Sequence, residues 1–218
     1  EMGTLLLRVF GMAEAPLHTL NHPDDPWDKL LSTDGRPLPG CEFRIVDTTH
    51  SRTLPPGEVG EYATWGPHVF LGYYREPELT AQVKDDEGWY YSGDLCVRDE
   101  DSYVRYVDRV KDIVNRGGVK ISALEVEELI MRHPDVARCA VVAMPDARLG
   151  ERICAFVVPR GDAQITLESI TRLFDELRVT KQKWPERLEV VQELPMTSTG
   201  KIQKNVLRAR LTSAAPAS

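Results

Sequence analysis

Along the first half of the chain, short runs rich in apolar and β-prone residues are separated by polar turn residues, which reads as a series of short strands. The runs fall at residues 4–10, 41–47, 60–65 and 69–73, punctuated by Pro37-Leu38-Pro39-Gly40 and Pro55-Pro56-Gly57. No helix of note is expected before residue 108. A hairpin is expected from 95–98 and 103–107 across Asp99-Glu100-Asp101-Ser102. After Lys111 the period changes. Ser122-Ala123-Leu124-Glu125 has the Ser and Glu spacing of a capping box, and Val126, Leu129, Ile130 and His133 recur at i, i+3, i+4 and i+7. Pro134 ends that helix. Residues 139–144 and 153–158 are continuous apolar runs suited to buried strands. Thr166 is placed to cap a second helix with Leu167, Ile170, Leu173, Phe174 and Leu177 on its apolar face. A short strand at 188–191, a short helix at 205–211 and a disordered tail at 212–218 complete the reading. The fold class is α+β: a β-rich piece followed by a small α+β domain.

Composition narrows the function. With 218 residues, 42% of them hydrophobic, the chain can bury a core. The formal charge of −7 and the lack of any long Lys/Arg run give a nucleic-acid surface no electrostatic support. No stretch approaches the 18 apolar residues of a membrane span, and the first residues lack a signal peptide's basic lead, so the expected location is cytoplasmic. Cys41, Cys96, Cys139 and Cys154 are far apart with no Cys-x-x-Cys pair, and are expected to be buried free thiols. His18 and His22 are four apart, but Pro16, Asn21 and Pro23 argue against the helix that would make them a metal pair, so both are expected in a loop.

Several runs carry chemistry. Leu194-Pro195-Met196-Thr197-Ser198-Thr199-Gly200-Lys201 offers one lysine on a tight, exposed turn shaped by Pro195 and Gly200, so its ammonium either meets an anion or is solvated surface. In Gly88-Trp89-Tyr90-Tyr91-Ser92-Gly93-Asp94-Leu95, Asp94 can accept hydrogen bonds from two vicinal hydroxyls, or only cap a local turn. Trp89 and Tyr91 are expected to pack. In Asp108-Arg109-Val110-Lys111-Asp112-Ile113-Val114-Asn115-Arg116-Gly117-Gly118-Val119-Lys120-Ile121, Gly117 and Gly118 are either backbone that a thin ligand can approach or a plain β-turn.

In order and spacing these runs, together with Phe10-Gly11-Met12-Ala13-Glu14, resemble the C-terminal half of the AMP-forming adenylating enzymes, the superfamily of acyl-CoA synthetases, peptide-synthetase adenylation domains and firefly luciferase. The resemblance runs from Phe10 to about residue 211. It implies that residues 1–108 are the β-rich, barrel-like remnant of a large N-terminal domain, 109–112 a hinge with Lys111 as pivot, and 113–211 a small mobile domain. It implies a carboxylic acid activated by ATP as an acyl-adenylate, with AMP then displaced by a thiol. Asp94 and Arg109 would hold the nucleotide with Gly11 and Met12, Glu14 would contribute to Mg²⁺, and Lys201 would meet the α-phosphate. Gly117 and Gly118 would line the channel for CoA. Two positions depart from the family: Ala13 stands where Thr or Ser is usual, and Ser92 where Thr is usual. The family's loop for the β- and γ-phosphates and most of its acyl pocket lie upstream of these residues. The expectation is therefore the C-terminal portion of an acyl-CoA synthetase, inactive without its N-terminal portion. An adenylation domain loading a carrier protein and a non-catalytic nucleotide- or partner-binding fragment are the alternatives.

Overall fold

A computed structural model describes residues 4–213, so most of the expected disordered tail lies outside the described residues. Backbone contacts divide the chain into two compact units, Glu1–Lys111 and Asp112–Ser218.

The first unit holds two antiparallel sheets. Strands β1 (Val9–Met12) and β2 (Ala15–Leu20) turn tightly through Ala13 and Glu14, and β3 (Arg36–Pro37), after the short helix α1 (Trp27–Ser32), completes one sheet in the order β1-β2-β3. The other sheet is a meander of β4 (Glu42–Val46), β5 (Gly60–Trp65), β6 (Tyr90–Arg98) and β7 (Val104–Arg109), with helix α2 (Pro77–Val83) between β5 and β6. Both sheets are open; among the described residues none closes into a barrel. Helices α1 and α2 appear where none of note was expected, since six and seven residues are too few to show a 3.6 period. The strand expected at 69–73 is a loop. Gly72 has φ +154° and the Tyr73 N–H donates to Thr80 Oγ1 of α2 rather than to a neighbouring strand. The expected hairpin forms, its turn fixed by the Asp99 carboxylate, which accepts from the N–H groups of Asp101 and Tyr103.

Residues from β4, β5, β6 and β7 build the first core. Ile45, Leu54, Tyr62, Cys96 and Val104 are buried together, with Phe10, Phe43 and Tyr106 packed against them. Phe10 of β1 meets Tyr62 of β5 edge-on at 5.4 Å and so joins the two sheets. His18 is in β2, not a loop, and is fully buried 4.9 Å from both rings. Neither of its nitrogens has a hydrogen-bond partner.

In the second unit, β8 (Ile113–Arg116) and β9 (Val119–Ser122) form a hairpin, followed by α3 (Ala123–Ile130), β10 (Val136–Asp146), β11 (Gly150–Pro159), α4 (Leu167–Glu176), β12 (Arg187–Val190) and α5 (Lys204–Ser213). The sheet order is β10-β11-β8-β9, with β12 parallel to β11. Val141, Ile153, Ala155 and Val157 pack with Val126, Ile130, Ile170 and Phe174 of α3 and α4; Ala140, Val142, Cys154 and Phe156 pack with Leu207 and Leu211 of α5. Both faces of β10 and β11 are thus covered, which is why their apolar runs are continuous. Ser122 accepts from the Glu125 N–H and Thr166 shares a reciprocal capping box with Ser169. Helix α3 stops at Ile130, so His133 lies in the turn beyond it, not on the helix face. Cys96, Cys139 and Cys154 are buried free thiols, while Cys41 is only half-buried. Among the described residues no helix is long and apolar enough to cross a membrane.

The buried imidazole gives a pH dependence. Burial, reinforced by His68, lowers the His18 pKa from 6.5 to about 4. The unfolded chain therefore binds a proton that the folded chain refuses, so stability is full above pH 6.5 and falls as pH drops toward 4, by about 3 kcal/mol for this group. Denaturant melts at pH 7.5 and 4.5 should show that loss, and His18→Phe should remove most of it. Equal losses in both proteins would refute the assignment.

Candidate functional site

The site in the first unit is built on an irregularity. Between the pairs Glu61↔Leu95 and Ala63↔Tyr91, the single residue Tyr62 of β5 faces Ser92, Gly93 and Asp94 of β6. Gly93 sits at φ +71°, in the left-handed region that favours glycine. The polar groups freed from the ladder are caught by side chains: the Ser92 hydroxyl donates to the Tyr62 carbonyl at 2.8 Å, and the Gly93 N–H donates to Glu61 Oε1 at 2.8 Å. Ser92, the substituted position, thus keeps a hydroxyl with a structural duty. The bulge re-aims Asp94. Its carboxylate is buried beside Arg109, its cross-strand partner, whose Nε–H donates to Oδ1 at 3.2 Å. Burial pushes the Asp94 carboxyl up and Arg109 opposes that shift.

Glu14 lies in the β1–β2 turn, where Tyr73 Oη–H donates to its Oε1 at 2.7 Å. Burial, then this bond, push the Tyr73 hydroxyl up to about 12. Tyr90 is buried, donates to Met12 Sδ at 2.8 Å, and is pushed up first by burial and then by Glu14, Tyr73 and Asp94. The Tyr90–Met12 contact ties β6, which carries Asp94, to β1, whose turn carries Glu14. Gly11 is required by close approach, since a Cβ there would stand 2.3 Å from the Pro16 carbonyl oxygen. Ala13 is exposed in the same turn, so the hydroxyl usual in the family is absent from its surface. Among the described residues no group of three or more His, Cys, Asp or Glu side chains is gathered for a metal. Glu14 is a hard carboxylate of the kind that could serve as one ligand to Mg²⁺.

Trp89 and Tyr91 pack, as expected: the Arg44 guanidinium lies 4.1 Å over the Trp89 ring and donates to Tyr91 Oη at 2.7 Å. Sequence reasoning missed Glu61, Tyr73 and Tyr90. Glu61 had a signal, an acid within a short run that reads as a strand; Tyr73 lay in a run read as a strand that is a loop. Lys111 is exposed in a single 3₁₀ turn, Val110–Asp112, where the chain passes from one unit to the other, and its charge lowers Asp94.

In the second unit the Lys201 turn is closed by its neighbours. Met196 pairs with Ile202, the Thr197 N–H donates to the Lys201 carbonyl, and Gly200 takes φ +82°. Lys201 itself is exposed. Helix α5 starts three residues later and is anchored at once, by Lys204 Nζ to Glu127 Oε1 of α3 at 2.7 Å and by Arg208 to Asp112. Gly117 and Gly118, at φ +59° and +85°, form the two-residue β8–β9 turn. A Cβ on Gly118 would meet nothing within 4 Å, so backbone conformation rather than crowding requires glycine there.

Comparison with known proteins agrees with this geometry. Residues 1–74 match the model of the AMP-binding enzyme family and residues 125–201 that of the AMP-binding enzyme C-terminal domain. The chain is 47% identical over 209 residues to the medium-chain fatty-acid–CoA ligase of Escherichia coli, covering 95% of this chain and 37% of the ligase. It is 46% identical over 211 residues to the pyochelin synthase PchD of Pseudomonas aeruginosa, covering 96% of this chain and 38% of that one. The crystal structure of ATP-bound MatB from Rhodopseudomonas palustris superposes with a TM-score of 0.85 at 35% identity, covering 95% of this chain and 41% of MatB. The chain thus spans well under half the length of the relatives it matches, and in both of its units it belongs to the adenylate-forming, AMP-binding enzyme superfamily.

Proposed function

We propose that the chain is the C-terminal part of a cytoplasmic AMP-forming acyl-CoA synthetase. The observation that carries this is the bulge-borne Asp94 beside Arg109, a carboxylate and a cation on the sheet of an AMP-binding family member. In this reading the Asp94 carboxylate accepts from the ribose hydroxyls of ATP, with Gly11 and Met12 at the nucleotide and Arg109 beside it. Mg²⁺, with Glu14 as its protein ligand, supplies charge neutralisation of the phosphates. The acid's carboxylate attacks the α-phosphate, releasing pyrophosphate, and negative charge grows on the phosphorus oxygens. Lys201, a mobile cation on a rigid turn, stabilises that charge where it forms. Lys111 is the pivot about which the second unit turns between the two half-reactions, and the Gly117-Gly118 turn borders the path of the CoA thiol, which displaces AMP to give the thioester. A carrier-protein thiol as acceptor is the second reading, favoured by the 46% identity to a synthase that is not named as a CoA ligase. Offering CoA and a phosphopantetheinylated carrier separately distinguishes the two.

The 218 residues alone are expected to fold yet make no acyl-CoA, because the chain holds groups for ribose, α-phosphate and one metal ligand but spans only 37% of a ligase relative. Turnover by this chain with any carboxylate would overturn that. In the enzyme carrying its upstream segment, Lys201→Ala should cut pyrophosphate release by about 10²–10³, while preformed acyl-adenylate and CoA still yield thioester. Equal loss in both half-reactions would make the lysine structural.

Asp94→Ala should raise the KM for ATP far more than that for CoA, since bonds to the ribose worth about 1.5–3 kcal/mol each are lost. An unchanged ATP dependence would return Asp94 to a turn-forming role. Lys111→Pro, by fixing φ near −65°, should leave adenylation and stop thioester formation. Wild-type rates for both would remove the pivot.

A further inference from the structure

Glu61 is an acid that the proposed reaction does not use. It is buried in β5, paired through its backbone with Val46 and Leu95. Strand alternation puts Tyr62 on the core face and Glu61 on the other, away from Phe10 and Cys96. A carboxylate so buried is costly unless both oxygens are engaged. Here each has one partner at 2.8 Å: the Gly93 N–H at Oε1 and His50 Nε2 at Oε2. His50 is itself held in place. It occupies a left-handed conformation, φ +58°, in a turn pinned by Asp47, which accepts from the Ser51 N–H and hydroxyl at 2.8 Å. Its ring stacks on Tyr91 at 4.0 Å and 12°.

The position of Glu61 matters because of what β6 lacks there. Where one residue of β5 faces three of β6, the ladder offers no partner for the Gly93 N–H. The next residue is Asp94. We propose that Glu61 is a positioning residue whose carboxylate stands in for the missing ladder acceptor, fixes the left-handed turn at Gly93, and so sets the direction in which Asp94 presents its oxygens beside Arg109. The nucleotide part of this rests on the reading of Asp94 as the ribose carboxylate. Electrostatics alone would not choose an acid, since Glu61 pushes the Asp94 carboxyl up. What selects the residue is an acceptor oxygen within reach of the Gly93 amide, on a side chain whose other terminal atom meets His50.

The test uses the ¹⁵N-labelled 218-residue chain and two readouts, amide hydrogen exchange at Gly93 and titration with AMP. Glu61→Ala should speed Gly93 exchange about tenfold or more, the cost of an amide left without its acceptor, and weaken AMP binding by a similar factor. Glu61→Gln keeps an acceptor oxygen and should restore both to within about threefold. Unchanged Gly93 exchange in Glu61→Ala, or equal damage in the Ala and Gln variants, overturns the proposal. If Glu61→Ala does not fold, His50→Ala frees only Oε2 and should raise Gly93 exchange several-fold; no change there overturns it too. A wild-type chain that does not bind AMP sinks the nucleotide reading of Asp94, while Gly93 exchange still decides the role of Glu61.

Discussion

The two residues by which β6 outruns β5 are the constraint on which the first unit's chemistry depends. A regular ladder would have placed the 92–94 segment in register and tied its amides to β5. The irregularity instead hands those groups to Ser92 and Glu61, leaves a left-handed glycine at 93, and turns Asp94 toward Arg109. None of this is held by the residues that would meet a ligand. Ser92, Gly93 and Glu61 shape the backbone, and Asp94 inherits its direction.

The same division of labour appears in the second unit. The Lys201 turn is closed by Met196, Thr197, Gly200 and Ile202, and the helix that follows is fastened through Lys204 and Arg208. Its footing is a sheet covered on both faces, with Leu207 and Leu211 of α5 against Ala140, Val142, Cys154 and Phe156. Such a lysine loses little backbone entropy when it meets an anion, because the turn is already formed. Only its side chain must be ordered.

Much of the second unit was legible in the sequence because its signals are local. Capping residues at Ser122 and Thr166, an i, i+3, i+4 stripe and two unbroken apolar runs each need only neighbouring residues to be read. The first unit was less legible. Its short helices carry under two full turns of pattern, and the 69–73 run is apolar and aromatic like a strand although its Phe70 N–H goes to the Glu14 carbonyl and its Tyr73 N–H to Thr80 of α2. The candidate site divides the same way. Asp94, Arg109, Glu14 and Lys201 stand in recognisable runs, whereas Tyr73 and Tyr90 acquire meaning only from contacts with residues more than fifty positions away. His18 shows the opposite failure: the prolines around it suggested a loop, but Pro16 is an exposed residue within β2 and Pro23 lies beyond the strand's end, while the imidazole is buried.

The charges around Tyr90 also sort the ends of the proposed substrate. Glu14, Glu61 and Asp94 are three carboxylates of the first unit, and Asp94 has the Arg109 guanidinium at 3.2 Å. Bare carboxylates repel a polyphosphate, so they cannot be its main contacts. A buried Asp94 can instead accept from neutral hydroxyls, which costs no charge–charge repulsion and offsets the penalty of its burial. Under the proposed reading the phosphates are left, in this unit, to Arg109 beside the carboxylate and to a divalent ion that Glu14 would help to hold. With Ala13 in place of a hydroxyl, the β1–β2 turn has no side-chain donor, and under that reading the demand on the cations grows.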